Sequence, residues 1–456
     1  MERKTPQILG ALALSFLLAG PALAQHEHHQ PQEPEPKPED HSMHDMQGKQ
    51  EDHSMHDMHE MPGLLGPYGM SREASGTAWQ PDSAPHMGIH TNRGPWDLMV
   101  HGFATLIYDD QDGPRGDQKT FSENMLMGMA SRPLGPGRLG LRTMLSAEPL
   151  TIGKEGYPLL FQTGETANGV DPLVDRQHPH DLFMELSASY SLPLGEKDSA
   201  FVYLGLPGEP ALGPATFMHR FSGMENPEAP LSHHWLDSTH ITYGVATLGW
   251  IRNNVKLEGS VFTGREPDEN RDGIESPKMD SWSLRASWNP SPDWSFQVSR
   301  GHLKGPEQLE PETDLDRTTA SAAYNRPLAN GNWQTTLAWG RNDRDGTATD
   351  ALLLESAATC RRHTLFGRAE RLENDELFGH GHEGEVPDDD HGQEGSEGEA
   401  FTVGKISLGY IYDAILGDRW RGGIGLLGSV ALVPEDLKTV YGDTPVSWMA
   451  FLRVKI

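Results

Sequence analysis

Residues 97–108 read "DLMVHGFATLIY". In an extended chain Leu98, Val100, Ala104, Leu106 and Tyr108 fall on one side, and Asp97, His101 and Thr105 on the other. Period two sustained over such a run marks a strand with one apolar and one polar face. Comparable runs recur to the C-terminus, and the alternation predicts strands near 97–108, 119–131, 138–148, 181–192, 199–206, 239–251, 254–264, 279–289, 293–303, 315–326, 332–341, 350–359, 362–371, 400–413, 419–431 and 445–456, sixteen in all. Every second connection is short and turn-like, such as "RNN", "NPSPD" and "CRR". The others are long: 109–118, 149–180, 207–238, 265–278, 304–314, 342–349, 372–399 and 432–444. A soluble sandwich or propeller also alternates along its strands, but it does not segregate loop lengths over so many connections. The expectation is therefore an all-β fold, an antiparallel transmembrane outer-membrane β-barrel of about 16 strands.

An even strand count puts both barrel ends on the short-turn, periplasmic side. The outward faces fit lipid: "WQTTLAW" presents Trp333, Leu337 and Trp339, and "SWSLRASW" presents Trp282, Leu284 and Trp288. Aromatics at both strand ends are what interfacial girdles require. Charged residues belong inside, so Arg142, Glu185, Lys256, Glu258, Arg285, Glu355, Arg368, Lys405 and Arg453 imply a polar lumen. The last strand, "VSWMAFLRVKI", resembles the C-terminal targeting strand of outer-membrane proteins, with Ile456 where that strand ends in an aromatic.

Ahead of the barrel (97–456) lie three other segments. Residues 1–24 have a basic start, an apolar run and an "ALA" cleavage site, so they read as a secretory signal peptide. Residues 25–61 are Pro, Glu, His, Met and Asp without apolar periodicity, a disordered tail. Residues 62–96 are rich in Gly, Pro and Ser, an irregular connector or plug segment. The net charge of −29 is concentrated: 25–61 holds ten acidic and two basic residues, and 373–399 holds eleven acidic residues with no Lys or Arg. Nucleic acid is thereby excluded as a partner, and cations are favoured. One cysteine, Cys360, rules out an internal disulfide and any Cys-x-x-Cys motif.

The tail repeats "EDHSMHDM" at 39–46 and 51–58. Thioether sulfur suits Cu(I) and Ag(I), and imidazole suits copper and zinc. His41, Met43, His44, Met46, His53, Met55, His56, Met58, His59 and Met61 combine both donors, and neither needs the thiolate that an oxidising compartment would destroy. The alternative is a solvated polar linker; zinc or nickel alone explains the histidines but not the methionines. This tail resembles the Met/His-rich segments of periplasmic copper and silver resistance proteins, one family of which is an outer-membrane protein with such an N-terminus. The resemblance implies copper or silver bound as cargo at the outer membrane of a Gram-negative bacterium, alongside its lipid, with periplasmic copper-handling proteins as partners.

Two further sets of candidate ligands lie in the barrel. "FSENMLMGMA" puts Met125, Met127 and Met129 on the same face as Glu123, while Met99 shares a face with His101 and Met144 one with Arg142. If the charged faces are lumenal, these residues form a thioether ladder; the alternatives are methionine as gap-filler, or Phe121 marking a lipid face. Long loops carry His178, His180, His219, His233 and His234, with Met218 and Met224, and "PHMGIH" before the first strand adds His86 and His90. Enzyme motifs such as Gly-x-Ser-x-Gly or His-Glu-x-x-His are absent, so no catalysis is expected. The rival readings are a general porin with an incidental tail and an outer-membrane hydrolase using "HPHD" beside Ser232.

Overall fold

The computed structural model describes residues 61–86, 88–378, 399–417 and 419–456. The signal peptide, the tail up to Glu60 and the acidic stretch 379–398 lie outside the described residues.

Sixteen strands form a closed antiparallel barrel. They are β1 (Trp96–Asp110), β2 (Gln118–Leu134), β3 (Gly137–Leu145), β4 (Phe183–Pro193), β5 (Asp198–Gly205), β6 (Val245–Arg252), β7 (Val255–Phe262) and β8 (Ser281–Ser291). The wall continues with β9 (Trp294–Leu303), β10 (Leu315–Leu328), β11 (Gly331–Arg344), β12 (Thr347–Cys360), β13 (His363–Asn374), β14 (Phe401–Leu416), β15 (Arg421–Leu432) and β16 (Val446–Lys455). Each strand pairs with the next, and β16 closes on β1 with Leu452 opposite Leu106. Closure removes the open edges that hydrocarbon cannot hydrate.

The alternation predicted from the sequence is the alternation observed. Leu106, Leu126, Leu284, Leu337, Leu408 and Leu452 are each about half exposed on the outer face. In water each would forgo roughly 1.5–3 kcal/mol of burial; in lipid there is no such cost. Trp282 and Trp288 lie near opposite ends of β8 on the same outer face. The closed wall, the apolar exterior and short turns on one side are the architecture of outer-membrane barrels.

Two boundaries differ most from those the sequence predicts, and the strand expected over 138–148 ends at Leu145, with Glu148 opening a short helix. The connection expected at 342–349 is a two-residue turn, Asp345–Gly346, because β11 and β12 pair out to Arg344 and Thr347. Both turn residues have positive φ, which Asp-Gly supplies in tight hairpins. The strand expected from 239 starts at Val245, and residues before it belong to the preceding loop.

The lumen is filled from both ends. From the turn side, Leu64 and Leu65 bury against Trp79, Phe201 and Ile251. Ser191 and Ser199 hydroxyls donate to the Leu64 and Leu65 carbonyls at 2.8 and 2.9 Å. Residues 89–93 are not irregular: they pair with Trp96–Val100 of β1 and continue the column that β16 leaves at Ile456.

From the loop side, residues 206–244 fold inward and bond to strands around the circumference. Gly213 N–H donates to Ser299 on β9, and Arg285 on β8 donates to the Gly213 carbonyl, both at 2.9 Å. Ser222 N–H donates to Gln334 on β11 (3.1 Å), and Ser232 N–H to Glu370 on β13 (3.0 Å). The loop's own charges meet the wall's: Arg220 lies 2.7 Å from Glu355, and Glu228 lies 2.5 Å from Lys405.

Candidate metal centre

Register decides what the inward methionines touch. Met99 stands opposite Met129, His101 opposite Met127, and Phe103 opposite Met125 across β1 and β2. Met127 in turn faces Met144 across β2 and β3. One lateral row of the wall is therefore His101–Met127–Met144, flanked by Met99–Met129. Met99, Met125, Met127 and Met144 are buried, and Met129 is half-buried. Phe121 does not mark a lipid face: it is buried and stacks on Tyr157 of the inward-folded 146–182 segment at 4.4 Å.

The row is completed from two other parts of the chain. His101 Nε2 lies 3.0 Å from Met127 Sδ. The 206–244 loop brings His219 Nε2 to 3.4 Å from Met144 Sδ, and the His101 and His219 rings are 5.7 Å apart. The segment before β1 adds His86 and His90, whose rings meet edge to face at 4.5 Å. Gly88 allows that approach: its φ is +102°, and a Cβ there would sit 2.9 Å from Met99 Sδ and 3.2 Å from His101 Cβ. Met70, His86, Met99, His101, Met127, Met129, His219 and Met224 share the wall of one cavity of about 80 Å³.

Chemically this is a chamber of soft donors, with the Glu73 carboxylate and the Arg142 guanidinium on the same lining. Burial pushes the His219 imidazole down to about 3, with His101 and Arg142 adding to the shift, so at neutral pH it is an unprotonated ligand. The Arg142 guanidinium on the same wall donates to the Gly76 carbonyl at 2.6 Å. The two imidazole–thioether pairs match a monovalent soft cation, Cu(I) or Ag(I), better than a hard divalent one.

The other loop histidines gather elsewhere. His178, His180, His233 and His234 come together with His240, which the sequence reading had assigned to a strand. Ring separations are 5.2 Å for His233–His240, 5.3 Å for His180–His240 and 5.8 Å for His178–His234. His180 Nδ1 lies 2.8 Å from Glu148 and His233 Nδ1 2.7 Å from Asp237. Burial holds His178 and His240 well below the usual imidazole range, each lowered further by neighbouring histidines. Ser232 pairs with no histidine: its hydroxyl donates to Glu370 at 2.7 Å. The hydrolase scheme built on "HPHD" and Ser232 therefore lacks its nucleophile–base contact.

Of the tail ligands only Met61 is among the described residues, where its carbonyl accepts from Met70 N–H at 2.9 Å. His41 to His59 lie outside them. Met70 escaped the sequence reading because nothing in "GPYGMSR" signals a position inside a barrel; only the packing of Leu64, Leu65 and Trp79 puts it there.

No protein-family model matches this chain, and no curated protein matches it. Solved structures do. The anion-selective porin from Comamonas acidovorans is 12% identical, over 79% of this chain and 100% of that one, with a TM-score of 0.45. Salmonella typhi OmpF is 9% identical, over 81% and 100%, with a TM-score of 0.49. Pseudomonas putida OprB is 9% identical, over 79% and 94%, with a TM-score of 0.46. The protein is a closed, sixteen-stranded antiparallel β-barrel.

Proposed function

We propose that this barrel handles copper or silver ions in metal homeostasis or resistance. The His/Met tail captures them in the periplasm, and the lumenal chamber receives them. The observation that carries the reading is the row His101–Met127–Met144 closed by His219. Methionine alone would be explained as gap-filling. Two ring nitrogens each held within 3.4 Å of a different thioether sulfur are not. The tail supplies the same two donor types by repeat, so capture and reception use one chemistry. The filled lumen favours this reading over a general porin, since residues 62–86 and 206–244 occupy the volume through which solutes would diffuse.

The test is an anaerobic Cu(I) titration against a chromophoric chelator. It compares the full chain, a full-length variant with every tail His and Met from 26 to 61 changed to Ser, and that variant carrying Met127→Leu and Met144→Leu as well. Binding retained after the tail changes and lost with the two leucines supports the lumenal site. Loss with the tail changes alone assigns all binding to the tail. No binding by any of the three leaves an ordinary barrel.

A further inference from the structure

A second donor group lies at the loop end of the barrel, built from nitrogen and oxygen rather than sulfur. Glu266 follows β7, and Glu307 lies in the loop after β9. The two loops are tied together by Glu266 N–H donating to the Pro306 carbonyl at 3.0 Å. His234 sits in the short helix His233–Leu236. That helix is pinned by Trp235 Nε1 donating to Thr349 and by Asn342 donating to the His234 carbonyl, both at 3.0 Å. Gly164, with φ +103°, lets a neighbouring hairpin pass against the imidazole, where a Cβ would come within 2.5 Å of Cε1.

The result is one ligand atom each from His234, Glu266 and Glu307, all within 4.8 Å of one another. No other set of three His, Cys, Asp or Glu among the described residues meets that geometry. Glu266 is 7% exposed and His234 6%. Neither Glu266 oxygen nor either His234 ring nitrogen has a hydrogen-bond partner. Buried carboxylates and imidazoles are ordinarily satisfied, and the cost of leaving them bare is high. His234 Nδ1 and Glu266 make an ion-pair contact at 3.6 Å, longer than a hydrogen bond, and the other Glu266 oxygen and His234 Nε2 have no hydrogen-bond partner. Arg344 stands 3.5 Å from Glu307 and is shared with Asp375 and Glu376 at 3.4 and 2.9 Å. Glu307 also lines a cavity of about 30 Å³ with Gly164, Glu165 and Glu376, which gives an acidic approach.

We infer that His234, Glu266 and Glu307 form a second metal site, for a borderline divalent cation of the Zn(II) or Cu(II) type. One imidazole and two carboxylates supply the borderline and hard donors such an ion takes, and two negative charges to match its two positive ones. Cu(I) and Ag(I) gain nothing from the carboxylates. The inference goes beyond the thioether chamber and does not depend on it.

Zn(II) binding to the full-length chain carrying the tail serines tests it, since those serines remove competing imidazoles while the barrel stays whole. One tightly held zinc is expected. Glu266→Gln and His234→Gln should each weaken it by more than about 100-fold, because losing a ligand exceeds the 10–100-fold loss of a ligand's supporting partner. Ag(I) binding to the same variants should be unchanged. No zinc bound, or zinc unaffected by either change, overturns the site. Should the variants misfold, anomalous scattering at the zinc edge from crystals of the unchanged barrel decides: a peak between the three residues supports the site, and peaks only elsewhere overturn it. Zinc bound here with no Ag(I) bound in the lumen would remove the lumenal chamber from the copper reading while leaving this one standing.

Discussion

The inner wall of this barrel has two chemistries. On β7, β8 and β12–β14 it is charged. Lys256 and Arg285 both hold Glu258, at 2.8 and 2.9 Å, and Arg220 and Arg368 both hold Glu355, at 2.7 and 3.3 Å. On β1–β3 the wall sets five thioethers and the His101 imidazole among charged residues such as Asp109 and Arg142. The charged side uses up its valence on the segments that fill the lumen: Thr77 donates to Glu258, and Arg220 comes from the inward loop. The soft side is bonded to those segments as well, Lys119 donating to the Ile152 carbonyl and Arg142 to that of Gly76. Its donors are left facing a cavity. Both halves hold the inward segments, and the soft half also sets thioethers and imidazoles around a cavity.

The largest effect should come from breaking the charged half. Glu355→Ala takes the wall carboxylate from Arg220 and Arg368, both buried, and leaves Arg220 only Asp237 of its own loop. Removing one partner of such a network costs about 3–5 kcal/mol. That cost is relieved if the 206–244 loop leaves the lumen. Planar-bilayer conductance should therefore rise from near silence to open-pore levels, while the barrel keeps its heat-modifiable migration on gels. Conductance unchanged from the unmodified protein would show that the loop is held by something other than its charges.

The soft half predicts a different signature. Met127→Leu conserves volume and apolarity, so stability should fall by less than ~1.5 kcal/mol. Cu(I) or Ag(I) affinity should nonetheless drop by at least about tenfold, since Met127 is the sulfur nearest His101 and the centre of its row. Equal losses in stability and affinity would reduce Met127 to packing.

The difference between the halves also sets what the sequence could disclose. Period two displays the sixteen strands and the inward arginines and glutamates, because each strand carries its own record of its two faces. It displays Met125, Met127 and Met129 as a lumenal stripe for the same reason. It cannot display His219 beside Met144, seventy-five positions away, since loop conformation is set by contacts with strands not adjacent in the chain. His240, Glu266 and Glu307 stayed hidden likewise. The meeting of Glu266 and Glu307 with His234 depends on where three separate loops turn inward. Asp345–Gly346 was misjudged for a local reason: the polar ends of β11 and β12 mimic a loop until the Asp-Gly turn is recognised as its two-residue tip.

A smaller effect tests how closely the soft half is fitted. Gly88→Ala puts a methyl at φ +102° and within 2.9 Å of Met99 Sδ. Backbone strain of this kind costs about 1–3 kcal/mol. The 86–90 segment should shift from the wall, and Ag(I) affinity should fall a few-fold with the rest of the barrel unaltered. Affinity equal to that of the unchanged protein would remove His86 and His90 from the centre.

The smallest expected effect isolates the face from the residue type. Leu126 lies between Met125 and Met127 on β2 but points to lipid, 51% exposed. Leu126→Met adds a thioether to the same strand, one residue from the proposed ligand, at a site where side-chain volume is unconstrained. A surface change of this kind is ordinarily within about 0.5 kcal/mol of neutral. If metal binding follows methionine content, the variant gains capacity. If it follows the row that register builds across β1, β2 and β3, capacity and affinity both stay where they were, because the new sulfur faces hydrocarbon and has no imidazole opposite it. Titration of the two proteins side by side reads the difference directly, and an added equivalent of Ag(I) in the variant would show that the chamber owes nothing to its geometry.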